Sequence, residues 1–283
     1  ASVTCPNGDT LSCTGSDWIV PNWTSNLCNP NGRSEVLWSK PTSREQPKGV
    51  TIPDANLKKC LQDVIYNGAN RPITVSAAKA LQNLSCGERE ISDLAGLDKQ
   101  NFPNLVTLDL TGNRLAGAGD FTDFSDQLEE VKLGYNGYTS LTFSNSQTEL
   151  NYLAASNNQL TAITVSPNSY LTYLDLSHNQ LGGTVDFFTS RENNLSFLDL
   201  SYNSITSIGQ TDLLTDANTI YLQSNRLTTI GSVSSLWNDG SGSLFYLKLN
   251  ENACFQCGTL GVKKSVSDQF GCSCDPSTCG NCD

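Results

Sequence analysis

The stretch LTYLDLSHNQL, residues 171–181, decides the fold of this chain of 283 residues, because its pattern recurs along the sequence. The shared pattern is L-x-x-L-x-L-x-x-N-x-L, and its eleven positions are called places 1 to 11 below. Its copies start at positions 81, 105, 128, 150, 171, 195, 217 and 244, so that neighbouring starts lie 21 to 27 residues apart. Repeats of this length indicate a solenoid in which each copy adds one coil.

Alternate places of each copy are predicted to point to opposite sides of a short strand. The apolar residues at places 1, 4, 6 and 11 then fill a core shared by neighbouring coils, since one coil alone cannot bury them. An asparagine recurs at place 9, where an amide can donate and accept together and so satisfy backbone groups of adjacent turns. This column comprises Asn113, Asn136, Asn158, Asn179, Asn203, Asn225 and Asn252.

These eight copies resemble the leucine-rich repeat family over residues 81–254. The resemblance implies an α/β-type solenoid, a horseshoe of about eight coils with a parallel concave β-sheet, short irregular or 3₁₀ convex segments and disulfide-rich terminal caps. The run IPDANLKKCLQDVI, followed later by ISDLAGL, resembles the N-terminal cap of internalin-type bacterial proteins. We therefore expect an irregular, disulfide-tied extension over 1–50, a helical cap over 51–80, repeats over 81–254 and a cysteine-rich cap over 255–283.

The composition indicates a secreted or extracellular cell-surface protein. Eleven cysteines favour an oxidising compartment, and the opening ASVTCP, in a chain without methionine, reads as a mature N-terminus left by signal-peptide removal. Three predicted glycosylation sites agree with export: Asn22, Asn83 and Asn194. The formal net charge of −11 argues against nucleic acid and anionic membranes as partners, and no apolar run is long enough for a transmembrane segment.

Most of the cysteines are predicted to form disulfides. Six stand close together at the C-terminal end, where three disulfides are favoured over a zinc site built on the two C-x-x-C pairs: Cys254, Cys257, Cys272, Cys274, Cys279 and Cys282. Cys5, Cys13, Cys28 and Cys60 are the remaining disulfide candidates. Cys86 occupies a core place and is expected to be the unpaired thiol, although Cys60 on the cap helix could reach it.

The polar residues of the repeats do not predict an enzyme. His178, the only histidine, falls at place 8 at the edge of its strand, so neither a catalytic triad nor a multi-histidine metal site can form. Asp175 and Asp199 occupy place 5 of consecutive coils, roughly 5 Å apart, a spacing that suits a cation such as calcium or the carboxylate pair of a retaining glycosidase. LDLS is also the common sequence at these places in leucine-rich repeats, including repeats that carry no chemistry. We therefore predict no catalytic residue, no metal site and no cofactor.

The side of the sheet expected to be concave carries the best candidate ligand-binding surface. Place 3 of three consecutive coils supplies an aromatic stripe, flanked by acids and a further tyrosine at place 5. The predicted ligand-binding residues are Tyr152, Tyr173, Asp175, Phe197, Asp199, Tyr221 and Tyr246. Exposed tyrosines beside acids fit a protein ligand first and a glycan second. The alternative is a structural or adhesive protein without one specific ligand, in which neighbouring strands simply cover these rings.

Overall fold

The structure, a computed structural model, describes residues 49–165, 170–186, 195–209, 217–230 and 246–252, together with the backbone of two short strands near the N-terminus. The chain divides into two units, residues 1–46 and 47–283. In the first unit, β1 (Ser2–Thr4) and β2 (Thr10–Ser12) pair antiparallel. The predictions for Asn22, Asn194, Cys5, Cys13, Cys28 and the six C-terminal cysteines lie outside the described residues.

The second unit opens with two helices, α1 (Ala55–Tyr66) and α2 (Val75–Ala80). Asp54 caps α1, since its Oδ1 accepts hydrogen bonds from the backbone N–H groups of Asn56 and Leu57, both at 2.9 Å. Leu57, Cys60 and Leu61 follow helical spacing and are buried as one face of α1, whereas Val64 is exposed. Within the described ranges, no helix has the length and apolar character needed to cross a membrane.

A main sheet of eight short parallel strands forms the body of this unit. Each strand pairs in register with the strand of the next coil. The eight strands, numbered in chain order together with the strands introduced below, are β3 (Asn83–Ser85), β4 (Thr107–Asp109), β6 (Glu130–Lys132), β8 (Tyr152–Ala154), β10 (Tyr173–Asp175), β12 (Phe197–Asp199), β14 (Thr219–Tyr221) and β16 (Tyr246–Lys248). The middle residue of each strand is buried and its two neighbours lie on the solvent side. This arrangement confirms the predicted parallel-sheet solenoid, whereas its coil number and disulfide-rich caps stay predictions.

The segments on the other side of the coils are more regular than predicted. Where irregular, extended or 3₁₀ segments were expected, the described part forms two three-stranded parallel sheets: β5 (Ala116–Asp120), β7 (Gly137–Thr142) and β9 (Ala162–Thr164), then β11 (Gly182–Val185), β13 (Ser204–Ile208) and β15 (Thr229–Ile230). The reason is visible in β13, whose sequence SITSI buries Ile205 and Ile208 and leaves the residues between them outside. β-Branched residues in such short alternating runs suit extended backbone.

The asparagine column satisfies backbone groups as predicted. In Asn179, Oδ1 accepts from the Leu160 N–H at 2.9 Å, and Nδ2 donates to the carbonyl oxygens of Ala155 and Leu176, both at 3.0 Å. Each amide therefore links its own coil to the preceding one. The same pattern recurs at Asn113, Asn136, Asn158, Asn203, Asn225 and Asn252.

A disulfide joins the cap to the first coil. Cys60 on α1 is bonded to Cys86, with the two Cα atoms 5.9 Å apart and both residues fully buried. The prediction that Cys86 is the unpaired thiol is therefore wrong. Cys86 belongs to the first coil, so its core-facing side chain meets the cap helix instead of a preceding coil. The sequence analysis had left open the alternative that Cys60 reaches Cys86 across this junction.

Candidate functional site

Five aromatic side chains form a continuous row on the solvent side of the main sheet. This row, the aromatic ladder, consists of Tyr152, Tyr173, Phe197, Tyr221 and Tyr246. The strand register places Tyr173 directly between Tyr152 and Phe197. The parallel pairing of β8 to β16 thus brings together residues that are almost a hundred positions apart in sequence.

The rings of the ladder adopt two different arrangements. Tyr152, Tyr173 and Phe197 stack face to face, with centroid distances of 4.1 and 4.4 Å and interplanar angles of 7° and 3°. Phe197, Tyr221 and Tyr246 follow one another edge to face, at 5.7 and 5.5 Å. Both arrangements are favourable for aromatic pairs. The first three rings consequently cover each other's faces, while Tyr246 at the end of the row is 46% exposed.

A lysine lies at each end of the ladder. The Lys132 Nζ is 5.4 Å from the centroid of the Tyr152 ring, and the Lys248 Nζ lies 5.3 and 5.5 Å from the centroids of Tyr221 and Tyr246. These distances are within the range of cation–π attraction. Lys132 also forms an ion pair with Glu130, and this hydrogen bond raises the pKa of the lysine. Both lysines occupy place 5, on the same side of the sheet as the rings, but they were not among the predicted ligand-binding residues.

Asp175 and Asp199 lie opposite each other on adjacent strands, as predicted. Each Oδ1 is used within its own coil: that of Asp175 accepts from the Ser177 N–H at 3.0 Å and hydroxyl at 2.7 Å, and that of Asp199 accepts from Ser201 at 2.9 and 2.6 Å. Burial raises the pKa of Asp199, and the neighbouring Asp175 adds to this effect. These carboxylates therefore close the turn at each strand end while adding negative charge beside the ladder.

Within the described ranges, no group of three or more histidine, cysteine, aspartate or glutamate side chains is arranged to hold a metal ion. The two aspartates thus stand as a pair, without a third ligand from these residue types. Asn83, a predicted glycosylation site, lies exposed on β3 at the end of the main sheet and accepts a hydrogen bond from the Thr107 hydroxyl at 2.9 Å. Its glycosylation stays a prediction.

Place 8 has a structural property that sequence reasoning missed. Its residue adopts a left-handed backbone in every described coil: Glu88, Gly112, Tyr135, Asn157, His178, Tyr202, Ser224 and Glu251. His178 lies at the surface, as expected, and its ring stacks on that of Tyr202 at 4.1 Å. The glycine and asparagine in this column were the available signal, since both residue types tolerate positive φ.

Comparison with known proteins supports the repeat assignment. A family model described as "Leucine Rich repeat" matches residues 168–184. No protein of curated function matches the chain. The chain carries leucine-rich repeats, and the family match covers one of them.

Three solved structures share the fold. The functional domain of InlJ from Listeria monocytogenes, which includes a cysteine ladder, is 23% identical with a TM-score of 0.53, over 71% of this chain and 46% of that one. The ectodomain of the Arabidopsis thaliana receptor kinase GASSHO1/SCHENGEN3, in complex with CASPARIAN STRIP INTEGRITY FACTOR 2, is 24% identical with a TM-score of 0.50, over 64% and 23%. The Arabidopsis receptor kinase HAESA, in complex with the peptide hormone IDA and the co-receptor SERK1, is 19% identical with a TM-score of 0.50, over 72% and 36%.

The chain spans less than half the length of each of these structures. At these identities the likeness concerns the fold alone. It confirms, at that level, the resemblance to leucine-rich repeat proteins of the internalin type.

Proposed function

We propose that this chain, a leucine-rich repeat protein, is a secreted or cell-surface recognition module that binds a protein ligand through the aromatic ladder. The observation that carries the proposal is the ladder itself: five aromatic side chains in one row on the solvent side of a rigid sheet. Tyrosine is enriched at binding hot spots because it offers a large contact area at a low cost in side-chain entropy. Here the strand register has already fixed the rings before any ligand arrives.

The orientation of the rings favours a peptide or protein over a glycan. Sugars bind aromatic residues through exposed ring faces, but Tyr152, Tyr173 and Phe197 cover each other's faces and direct their edges outward. Ring edges carry partial positive charge and suit carbonyl oxygens and apolar side chains, which a polypeptide supplies. Only the edge-to-face end at Tyr221 and Tyr246 leaves ring faces for a sugar.

The charges around the ladder suit a ligand with a defined polarity. Lys132 and Lys248 stand at its two ends, and Asp175 and Asp199 lie along its middle. A ligand that places a cationic group at the centre and acidic groups at the ends would match this pattern. Two receptor structures that share the fold hold ligands, which is consistent with this use of the sheet. The buried Cys60–Cys86 disulfide is consistent with an exported protein.

The second candidate function is a structural or adhesive role without one specific ligand. The mutual stacking of Tyr152, Tyr173 and Phe197 favours it, because these rings already stabilise one another. The two functions differ in what the exposed end of the ladder does. Only a recognition module needs Tyr246, which is exposed and makes few internal contacts.

The experiment is a binding screen with a matched pair of variants. The biotinylated chain is tested against an array of extracellular proteins and against a glycan array. Hits are then measured with Tyr246→Ala and with Tyr135→Ala, a control that removes a more exposed tyrosine outside the ladder. We expect Tyr246→Ala to weaken a protein hit about tenfold, as at a binding hot spot, and Tyr135→Ala to leave it unchanged. Equal effects of the two variants, or hits on glycans alone, would reject the proposal.

A further inference from the structure

On the side of the coils away from the main sheet, a pocket of about 370 Å³ lies between the first coil and β5. We call it the slot. One wall is the loop of residues 92–98, and the other is β5 with Leu115 and the aromatic residues behind it. The slot shares no residue with the aromatic ladder. Ligand binding by the ladder therefore does not explain why the slot exists.

The slot exists because the first coil separates from the second and then rejoins it. The Arg114 N–H donates to the Ile91 carbonyl at 2.8 Å, and the Lys99 N–H donates to the Asp123 carbonyl at 2.7 Å. Between these two points, no hydrogen bond links the loop of residues 92–98 to β5 in the part of the chain that the structure describes. A peptide-sized length of strand edge is left without a neighbour.

Contacts with the N-terminal cap hold the loop away from β5. The Asp54 Oδ2 accepts from the Ser92 N–H at 2.9 Å, the Ser92 hydroxyl at 3.0 Å and the Asp93 N–H at 3.2 Å. Gly96, with φ of 89°, packs so tightly that a Cβ there would lie 2.3 Å from the Thr51 carbonyl oxygen. The slot is thus built into the fold and does not depend on a loose loop.

β5 offers the slot an open strand edge. It is the end strand of its sheet, paired only with β7. The Leu115 carbonyl accepts from Gly137, and the Phe121 N–H donates to Thr142. Counted from either end of the strand, across the register shift between Gly117 and Ala118, alternation places Gly117 and Gly119 towards β7. Ala116, Ala118 and Asp120 consequently direct their backbone N–H and C=O groups towards the slot, and the two small alanine side chains leave room for a partner strand.

The floor of the slot contains a largely buried tyrosine whose hydroxyl oxygen is not itself buried. Tyr138 lines the slot and is only 3% exposed, yet its hydroxyl makes no hydrogen bond within the described ranges. Its ring lies beside Gly119, where a Cβ would approach the Tyr138 Cε1 to 2.8 Å. Burial raises the pKa of Tyr138, so the hydroxyl keeps its proton and can donate. A ligand that enters the slot can therefore accept a hydrogen bond from this hydroxyl.

The rim of the slot is acidic. Asp93, Asp98 and Asp120 line it, and none of the described lining residues is basic. The hydrogen bond from the Thr122 hydroxyl lowers the pKa of Asp120, so this carboxylate is charged at neutral pH. The charge of the slot therefore selects for a cationic occupant.

We propose that the slot is a docking site for an extended, positively charged peptide segment of a partner protein, which adds to β5 as a further strand. The segment pairs with the outward groups of Ala116, Ala118 and Asp120, its lysine or arginine side chains meet the three aspartates, and one of its carbonyl oxygens accepts from the Tyr138 hydroxyl. Addition of a strand to a free sheet edge is a general mode of peptide recognition.

The test is a subtractive selection from a random linear dodecapeptide library displayed on phage. The library is first depleted on the chain carrying Ala118→Lys, which puts a cation and a longer side chain at the edge, and is then selected on the unaltered chain. Ala118→Glu is the matched control, with similar bulk and the opposite charge. Circular dichroism and thermal unfolding check that each variant is folded.

We expect the retained peptides to be rich in lysine and arginine and to bind at least about tenfold more weakly to Ala118→Lys than to Ala118→Glu. Tyr138→Phe, which keeps the ring and removes only the hydroxyl, should weaken them about fivefold. An empty selection, retained peptides without basic residues, or equal binding to the Tyr138→Phe variant would each overturn the proposal.

Discussion

Two columns of side chains run across the main sheet, and they use the same repeat for different purposes. In the asparagine column, each amide forms hydrogen bonds with backbone groups of its own and the preceding coil. In the aromatic ladder, the rings contact one another but keep their edges and one end towards solvent. Periodicity alone therefore does not separate stability from recognition. A column can bind a ligand only if its side chains keep solvent-exposed surface or unpaired hydrogen-bonding groups.

The largest expected effect comes from the asparagine column. Asn179→Ala removes one acceptor and two donated hydrogen bonds at buried backbone groups, so the free energy of unfolding should fall by about 4 kcal/mol. Urea-induced unfolding measures it. The control is Asn157→Gly, which changes a nearby residue whose left-handed backbone glycine adopts readily, and it should cost less than about 1 kcal/mol. Equal losses would contradict the claim that the place-9 hydrogen bonds stabilise the coils.

The disulfide of the cap comes next. The Cys60–Cys86 bond closes a sequence separation of 26 residues, and its removal should lower the free energy of unfolding by about 3 kcal/mol because the unfolded chain gains freedom. The Cys60→Ser and Cys86→Ser variants, measured singly and together by urea unfolding, check this. If the double variant were much less stable than either single variant, the two cysteines would not be acting as one pair.

Within the ladder, position should matter more than residue type. Tyr173 stacks on two rings, whereas Tyr246 meets a single ring edge to face. Tyr173→Ala should therefore cost about 2 kcal/mol of unfolding free energy, and Tyr246→Ala about 0.5 kcal/mol. Thermal unfolding followed by circular dichroism compares them. A larger cost at Tyr246 would mean that the ring contacts do not describe the stability of the ladder.

An effect smaller than that of Tyr173→Ala is expected at the cap, and it depends on pH. Burial raises the pKa of Asp54, but hydrogen bonds from Leu57, Ser92 and Asn56 outweigh it and hold that pKa below its ordinary value. A carboxyl whose pKa is lower in the folded than in the unfolded protein contributes its full stabilisation at pH values above the unfolded pKa. This stabilisation is lost as pH falls through the folded pKa. The free energy of unfolding of the unaltered protein should exceed that of Asp54→Asn by about 1 kcal/mol at pH 7, and the difference should shrink as pH falls through the folded pKa of Asp54. If the difference persisted at low pH, it would come from packing and not from the charge of Asp54.

The repeat made much of this molecule predictable from sequence. The eleven-place pattern gave the parallel sheet, the asparagine column and the neighbours of Tyr173, because in-register strands turn equal places into spatial rows. The features it missed arise where coils differ. Lys132 and Lys248 occupy place 5, where other coils carry different residue types, and Cys86 meets the cap because no coil precedes it. The slot depends on contacts of Asp54 and Gly96 that no repeat encodes.

The measurement that tests the central claim most directly is the binding of a ligand found in the protein screen to the double variant Tyr152→Phe, Tyr173→Phe. This variant keeps the stacked rings and removes only the two hydroxyls, which form a hydrogen bond with each other. If the ladder is a recognition surface, affinity should fall by about fivefold or more while the midpoint of thermal unfolding stays within about 2 °C. Unchanged affinity together with a lowered midpoint would mean that the ladder serves only stability.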